Sequence, residues 1–281
     1  MIARSMPFTI QSSIRLNNGV KIPRLGLGVY QSPPGRITQH AVRYALNIGY
    51  RHIDTAYIYG NESDVGKAVL ESGIPREEVF ITTKLWNTSQ VGYDHSIKAC
   101  EQSLHRLGLR YIDLYLIHWP VDGVNNNSIE IWKAMVHLLR EGKARAIGVS
   151  NFSIDDLKQI LNDPDVLPAV NQIEFHPFLY QKNLLSFCEK NSIQVEAYSP
   201  LTRGRRLNHP TIVNMAKKYD NKTPAQILIR WSLQHNLVVI PKSIHEERIL
   251  ENSQVFDFEL KAEDMKVLDS LNEDLQTVFL G

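Results

Sequence analysis

Between Gly49 and Glu62 the chain reads Gly-Tyr-Arg-His-Ile-Asp-Thr-Ala-Tyr-Ile-Tyr-Gly-Asn-Glu. Asp54 closes a short strand-like stretch, Arg51 to Asp54. Tyr57, Tyr59 and Glu62 then bring further ionisable groups into a loop that Gly60 breaks. A carboxylate at a strand end with a phenol shortly after it is equipped for proton chemistry once a cation joins the pair. Tyrosine's free pKa of about 10 is too high for easy proton exchange near neutrality, and a close ammonium lowers it by favouring the tyrosinate. Lys84, in Thr83-Lys84-Leu85-Trp86, can supply that ammonium, and Asp54 can keep it charged and oriented. His118, in His118-Trp119-Pro120, can donate a hydrogen bond to a carbonyl oxygen and turn it toward Tyr59. No metal-ligand set and no activated nucleophile accompanies them. The chemistry left is proton transfer to an oxygen, half of a carbonyl reduction, with the hydride supplied by a cofactor. Singly, each residue has an ordinary reading: Lys84 a surface lysine, His118 and His52 satisfied core histidines, Tyr57 a packing residue. Their company argues for a site.

These groups need a frame that gathers strand ends. Short apolar strands recur at Leu25–Val29, Arg51–Asp54, Val79–Lys84, Leu114–His118, Ala144–Val149, Val170–Glu174, Gln194–Tyr198 and Val238–Ile240, with helix-length segments between them. Ile97, Cys100, Leu104 and Leu107 show the i, i+3, i+4 spacing of one helix, and Ile129, Trp132, Val136 and Leu139 that of another. Before the first strand, Ile14–Leu16 and Val20–Ile22 flank Asn17-Asn18-Gly19, a strong hairpin signal. After the last, helical patterns occupy about 246–252 and 262–271. Eight strands alternating with helices predict one α/β domain over residues 1–281, a closed parallel (β/α)8 TIM barrel with extra C-terminal helices. Gly26-Leu-Gly28 lacks the third glycine of a dinucleotide-binding turn, so an open doubly wound sheet is rejected. The barrel face that carries chemistry is the C-terminal end of its strands, where Asp54, Lys84, His118, Ser150, Asn151, Gln172, Glu174, Tyr198, Ser199, Lys242 and Ser243 all fall.

Composition narrows the partners. A formal charge of +1 with no long run of one sign gives no footprint for nucleic acid or a membrane surface, and an apolar fraction of 43% supports a sizeable core. Cys100 and Cys188 stand far apart in helical patterns and read as buried free thiols. The first residues lack the apolar core of a signal peptide. Asn-x-Ser/Thr triplets at Asn61, Asn87 and Asn151 lie beside candidate site residues, where a glycan would block access. The expectation is a cytoplasmic monomer.

Three separated motifs carry a resemblance: Gly49-Tyr-Arg-His-Ile-Asp-Thr-Ala-x-x-Tyr-Gly-Asn-Glu62, Arg145-Ala-Ile-Gly-Val-Ser-Asn-Phe152, and Ile240-Pro-Lys-Ser-x-x-x-x-Arg-x-x-Glu-Asn252. Together they resemble the aldo-keto reductases over essentially the whole chain. The resemblance implies a barrel closed at its base by the N-terminal hairpin, Tyr59 as general acid, and Asp54, Lys84 and His118 completing a tetrad. It further implies Ser150, Asn151 and Gln172 on a nicotinamide carboxamide and Tyr198 stacked on its ring. Ser199, Leu201, Ser243, Glu251 and Asn252 fall among the implied cofactor contacts, and Val29, Trp86 and Trp119 among those lining the substrate pocket, with Gly26 and Tyr30 bordering it. Lys242 and Arg248 converge two cations suited to an adenosine 2′-phosphate, which favours NADPH over NADH. In the same motif Ser243 and Glu246 are spaced as a capping box, and Arg248, Glu251 and Asn252 as one helix face.

The stretches 121–127 and 201–209 are short, the second made basic by Arg203, Arg205 and Arg206, and no long loop follows the last helix before Gly281. This resembles compact microbial members that reduce sugar-derived ketones, small aldehydes and diketones, and in protozoa a prostaglandin endoperoxide. An open, permissive pocket for small carbonyl compounds is expected. The competing expectation is a non-catalytic NADPH-binding regulatory subunit of the same fold; the lack of any extra N-terminal segment or large apolar stretch favours the free-standing enzyme.

Overall fold

The computed structural model describes residues 8–86, 92–121, 127–161, 166–220 and 222–278. In chain order the elements are β1 (Ser13–Arg15), β2 (Lys21–Pro23), β3 (Leu27–Gly28), α1 (Arg36–Asn47), β4 (His52–Asp54), α2 (Glu62–Leu70), β5 (Phe80–Leu85), α3 (Tyr93–Leu107), β6 (Ile112–Ile117) and α4 (Asn127–Arg140). There follow β7 (Ala144–Ser150), α5 (Ile154–Leu161), β8 (Val170–Glu174), α6 (Lys182–Lys190), β9 (Gln194–Tyr198), α7 (Pro210–Lys218), α8 (Pro224–Gln234), β10 (Val238–Val239), α9 (Glu246–Ser253) and α10 (Ala262–Asp269). Strands β3 to β10 form one eight-stranded parallel sheet in sequence order. Parallel bridges Leu25–Val239 and Gly28–Lys242 join its two edges and close the ring. Gly28 sits on that seam, where an added Cβ would lie 3.0 Å from the Ile240 carbonyl oxygen, so the first and last strands meet over a residue without a side chain. The expected (β/α)8 barrel is the observed fold.

Strand periodicity builds the interior. Phe80, Thr82 and Lys84 are alternate residues of β5 and share its inner face. At the lower end the lumen is apolar: Phe80, Leu114, Leu116, Ala146, Val170 and Val238 pack with Ile14, Leu16 and Ile22 of the hairpin. The antiparallel β1–β2 pair turns at Gly19, whose φ of 87° suits a residue without Cβ. Asn17 and Asn18 donate through their side-chain amides to the Pro168 and Arg145 carbonyls and seal the hairpin onto the base. The larger apolar cluster lies outside the ring, between strands and helices, and contains Cys100 and Cys188, both buried and free as expected. Above the apolar plug the lumen turns polar, and the site begins there.

Two expectations about the C-terminal third are corrected. Helical segments follow the eighth barrel strand at α9 and α10 as expected, but α9 is that strand's ordinary companion, so the helices beyond the eight repeats are α10 and also α7, inserted between β9 and β10 ahead of α8. Ser243 and Glu246 do not form a capping box. The N-cap of α9 is His245, without a side-chain cap. The Ser243 hydroxyl accepts from the His245 N–H at 3.1 Å, while Glu246 pairs with His40 at 2.7 Å. A capping box does form at Thr223 and Gln226, where Pro224 fixes the first turn of α8. Among the described residues no helix is long and apolar enough to cross a membrane.

Candidate active site

Lys84 is wholly buried, a condition that costs several kcal/mol unless the charge is paired and hydrogen-bonded. It is both. Its Nζ donates to Asp54 Oδ1 at 2.7 Å, Asp54 Oδ2 at 2.8 Å and the Thr55 carbonyl at 2.9 Å, and then at 3.3 Å to the Tyr59 hydroxyl oxygen. The loop carrying Tyr59 is fixed independently. The Asn61 side-chain amide donates to the Val29 and Ser32 carbonyls, Thr55 donates to Asn61 Oδ1, and Gly60, with φ of 68°, ends the Tyr57–Tyr59 turn. Glu62, read from sequence as part of the ionisable crowd, is spent on Thr83 and Arg106 and belongs to the scaffold. Tyr57 is half exposed beneath the Arg106 guanidinium rather than packed inside.

The electrostatics differ from expectation in one respect. Tyr59's pKa lies well above the ordinary value of 10, because burial opposes the tyrosinate and Asp54 adds a negative charge. Lys84 is close enough to donate to the phenol, but its charge is largely answered by Asp54. The resting site therefore holds Tyr59 firmly protonated, as a proton donor requires, and Lys84 acts on the tyrosinate that proton transfer would leave. Burial also pushes the Asp54 carboxyl up, opposed by Lys84 and Gln172. His118 is driven well below the ordinary 6.5 by burial and by Lys84, so its imidazole is neutral. Its ring stands edge-on to Tyr59 and Trp86, with centroids 5.6 and 5.2 Å away. Its buried Nδ1 has no partner among the described residues.

One cavity of about 900 Å³ contains this corner and runs across the barrel mouth to the N-terminal part of α9. Asp54, Tyr59, His118, Trp86, Trp119, Ser150, Asn151, Gln172, Tyr198, Ser199, Leu201, Lys242, Ser243, Arg248, Glu251 and Asn252 all border it. Lys84 lies just beneath. Val29 does not line it: its side chain is buried in the outer core, and the next residue, Tyr30, faces the cavity with its ring 5.0 Å from Tyr59. Val29, expected to line the substrate pocket, therefore faces away from the cavity, and Tyr30 lines it instead. Gly26 is likewise absent from the lining; an added Cβ there would meet the His52 ring at 2.7 Å. Of the loop at 121–127, residues 122–126 lie outside the described residues, as does Asn87.

The far half of the cavity offers groups suited to a nicotinamide dinucleotide. Asn151, held in the left-handed region at φ of 63°, donates to the His118 carbonyl at 3.0 Å and Ser150 Oγ at 3.1 Å and accepts from the Tyr198 hydroxyl at 2.8 Å. Gln172 spends its amide N–H groups on Asp54 and Glu196, which leaves its carbonyl oxygen without a donor among the described residues. Acceptor capacity of this kind suits the –NH₂ of a carboxamide. At the other end, neither Lys242 nor Arg248 has a carboxylate or hydrogen-bond partner on its side chain among the described residues, although both border the cavity. Burial and then the Arg203 charge lower the Lys242 pKa, so like charges face one another there. The donor set fits a phosphorylated dinucleotide.

The family model for the Aldo/keto reductase family matches residues 24–273. The chain belongs to that family. It is 48% identical over 269 residues to the "Glyoxal reductase" of Bacillus subtilis, covering 96% of each chain. It is 48% identical over 264 residues to the "9,11-endoperoxide prostaglandin H2 reductase" of Trypanosoma cruzi, covering 93% of this chain and 92% of that one. Among solved structures it superposes on an aldo-keto reductase from a Medee basin deep-sea metagenome library with a TM-score of 0.90 and 47% identity, covering 96% and 97% of the two chains. The chain is thus an oxidoreductase acting on carbonyl groups, in a family that generally uses a nicotinamide cofactor.

Sequence reasoning placed Glu174 at a strand end and Arg203 in a basic stretch but missed what they hold, and it missed Glu196 altogether. Glu174 accepts from the backbone N–H groups of Thr277 (2.9 and 3.0 Å) and Val278 (3.2 Å) and from the Thr277 hydroxyl, which straps the C-terminal segment beside the cavity. Arg203 donates to Gln31 Oε1 at 2.7 Å and the Thr277 carbonyl at 3.2 Å, so it ties three cavity-lining segments together. Its basic neighbourhood was visible in the sequence; its span was not. Glu196 lies wholly buried under Gln172. The signal for it was a single charge between Val195 and Ala197 in an otherwise buried strand.

Proposed function

We propose that this chain reduces small aldehydes and dicarbonyl compounds to alcohols with NADPH, using Tyr59 as the proton donor. The carrying observation is the Asp54–Lys84–Tyr59 chain of hydrogen bonds opening into a cavity beside a neutral His118. Reduced nicotinamide supplies a hydride to the carbonyl carbon when bound. Tyr59 gives its hydroxyl proton to the carbonyl oxygen, and the alcohol is complete. Lys84 lies 3.3 Å from the phenol oxygen and stabilises the tyrosinate as it forms, while Asp54 keeps Lys84 charged and aimed. His118 has one N–H to offer the same carbonyl oxygen, and being neutral it does not compete with Tyr59 as the acid. Ser150, Asn151 and Gln172 hold the carboxamide, the Tyr198 ring offers a stacking face, and Lys242 and Arg248 answer the 2′-phosphate. Trp86, Trp119 and Tyr30 wall the substrate end. The relatives named for glyoxal and prostaglandin H2 reduction bracket the substrates worth trying. NADPH absorbance followed with glyoxal, methylglyoxal and a panel of aldehydes and keto-sugars tests the reading; no turnover with any of them in the presence of either NADPH or NADH would sink it.

A further inference from the structure

Below the tetrad the lumen holds a second carboxylate that the reaction above does not use. Glu196, at the middle of β9, has no exposed surface. Gln172 sits beside it in register on β8 and divides its amide between two acids, donating to Asp54 Oδ2 at 2.8 Å and to Glu196 Oε2 at 3.0 Å. Glu196 Oε1 has no hydrogen-bond partner among the described residues; His52 Nε2 is 3.6 Å away and is hydrogen-bonded to Thr82 Oγ1 at 3.0 Å. The groups facing Glu196 are His52 and Asp54 from β4, Lys84 from β5, Tyr59 from the loop after β4 and the uncharged Gln172 from β8. Its neighbour on β10 is Val238, which adds no charge.

A count of charges in this enclosed space decides the state of Glu196. Lys84 is the one cation, since burial and Lys84 itself hold His52 down to about 3 and so neutral. Asp54 takes Lys84 in a two-oxygen grip, which leaves Glu196 with no cation of its own. A buried carboxylate without a cation keeps its proton, and Glu196 is pushed up from 4.5 to about 8 by burial and by Asp54.

We propose that Glu196 is a positioning residue for the tetrad: it rests protonated, fixes Gln172 between itself and Asp54, and on ionising places a second anion beside Asp54 that cancels the Lys84 charge on which Tyr59 depends. The inference rests on the proposed reduction for its kinetic readout, but not for its thermodynamic one. With a carbonyl substrate, wild-type kcat/KM falls about tenfold per pH unit above roughly pH 8, one proton being lost. In Glu196→Gln, which keeps an acceptor for Gln172 and has no proton to lose, that fall moves up by at least about one pH unit. Unfolding in urea gives the second readout. Folding takes up a proton at Glu196, because the folded carboxyl titrates above the unfolded one, so this stabilisation is complete below about 4.5 and lost as pH rises through about 8. Across that window wild type loses about tenfold per pH unit in folding equilibrium constant relative to Glu196→Gln.

Should Glu196→Gln not fold, Glu196→Asp replaces it, and its alkaline limb must stand apart from that of wild type. A limb at the same pH in wild type and variant overturns the positioning role even if carbonyl reduction is robust. A pH-independent stability difference overturns the protonated resting state. An inactive wild type sinks the proposed reduction instead, and the urea comparison still decides whether Glu196 rests protonated.

Discussion

The two ends of the barrel each bury a carboxylate among cations, and they do so in opposite ways. At the base, Asp113 of β6 is wholly enclosed and every oxygen is used: Oδ2 accepts from Arg76 at 2.6 Å and from the Ile81 N–H at 3.0 Å, and Oδ1 from Arg145 at 2.7 Å. The groove beside it, about 520 Å³ and lined by Lys21, Glu77, Glu78 and Arg145, holds none of the tetrad. At the mouth, Asp54 is equally enclosed, but the network it anchors is left open. Lys84 reaches past it to a phenol, and among the described residues the Gln172 carbonyl oxygen, Glu196 Oε1 and His118 Nδ1 have no hydrogen-bond partner, while the Lys242 and Arg248 side chains border the cavity without a carboxylate partner. Burial and charge alone do not separate structure from chemistry. Unspent capacity facing a cavity does.

The sharpest way to break this comparison is at Tyr59 and Lys84. Tyr59→Phe keeps the ring and removes the donor, so kcat should fall at least about 10²-fold, with urea unfolding and NADPH binding near wild type. Lys84→Met should lose as much activity at every pH. It should also lose roughly 3–5 kcal/mol of stability, because Asp54 is left as an uncompensated buried charge. A Tyr59→Phe variant that turns over an aldehyde within a few-fold of wild type would place the mouth in the same class as the base.

The next largest effect is expected at the far end of the cavity. Lys242→Met combined with Arg248→Ala removes two cations that have no protein partner, so stability should hold. Charge-assisted hydrogen bonds are worth roughly 1.5–3 kcal/mol each, so NADPH binding should weaken on the order of 10²-fold or more while NADH binding barely moves. Fluorescence titration with both nucleotides separates these outcomes. Equal weakening of both would deny the two residues a role in phosphate selection.

The base gives the mirror-image result. Asp113→Asn removes a charge that holds two arginines and a backbone N–H, with an expected cost of roughly 1.5–3 kcal/mol in urea unfolding. The part held by Arg145, 43% exposed on its side chain, is the smaller because water screens it. kcat and KM should stay within about two-fold of wild type, since the apolar plug separates this end from the tetrad and the one shared strand, β5, is held by its neighbours along its length. A selective loss of kcat without a stability change would show that the base takes part in chemistry.

What was legible in the sequence follows from the range of the forces involved. Strand positions, the hairpin at Asn17-Asn18-Gly19 and the grouping of Asp54, Lys84 and His118 at strand ends depend on local periodicity and on one topological rule, so they could be read. Val29 against Tyr30 turned on which way a short strand faces, and a one-residue slip reverses it. The height of the Tyr59 pKa could not be read, because it depends on how fully Asp54 answers Lys84 and on burial, neither of which is a property of spacing. Glu196 was visible only as a charge in a buried strand, and its partner Gln172 lies on another strand. Ser243 and Glu246 had the spacing of a capping box, but α9 starts after His245, and spacing does not fix where a helix begins.

That last difference yields the smallest and most local prediction. Two hydroxyls, Thr223 and Ser243, precede helices that border or support the cavity, and only one caps its helix. Thr223 Oγ1 accepts from the Gln226 N–H at 3.2 Å, Gln226 Oε1 accepts from the Thr223 N–H at 2.9 Å, and the Thr223 hydroxyl also donates to Glu251 at 2.6 Å. Thr223→Ala therefore removes a cap and a link from α8 to α9, and should cost about 1–2 kcal/mol. Ser243→Ala removes the acceptor for the His245 N–H and a longer donation to the His245 carbonyl, turn bonds outside the helix at the edge of the cavity, where water can replace them. Its stability cost should stay below about 0.5 kcal/mol. Urea unfolding of the two variants side by side is the measurement. If Ser243→Ala costs as much as Thr223→Ala, then the Ser243 hydroxyl stabilises α9 after all, and the spacing was the better guide to that helix than its geometry.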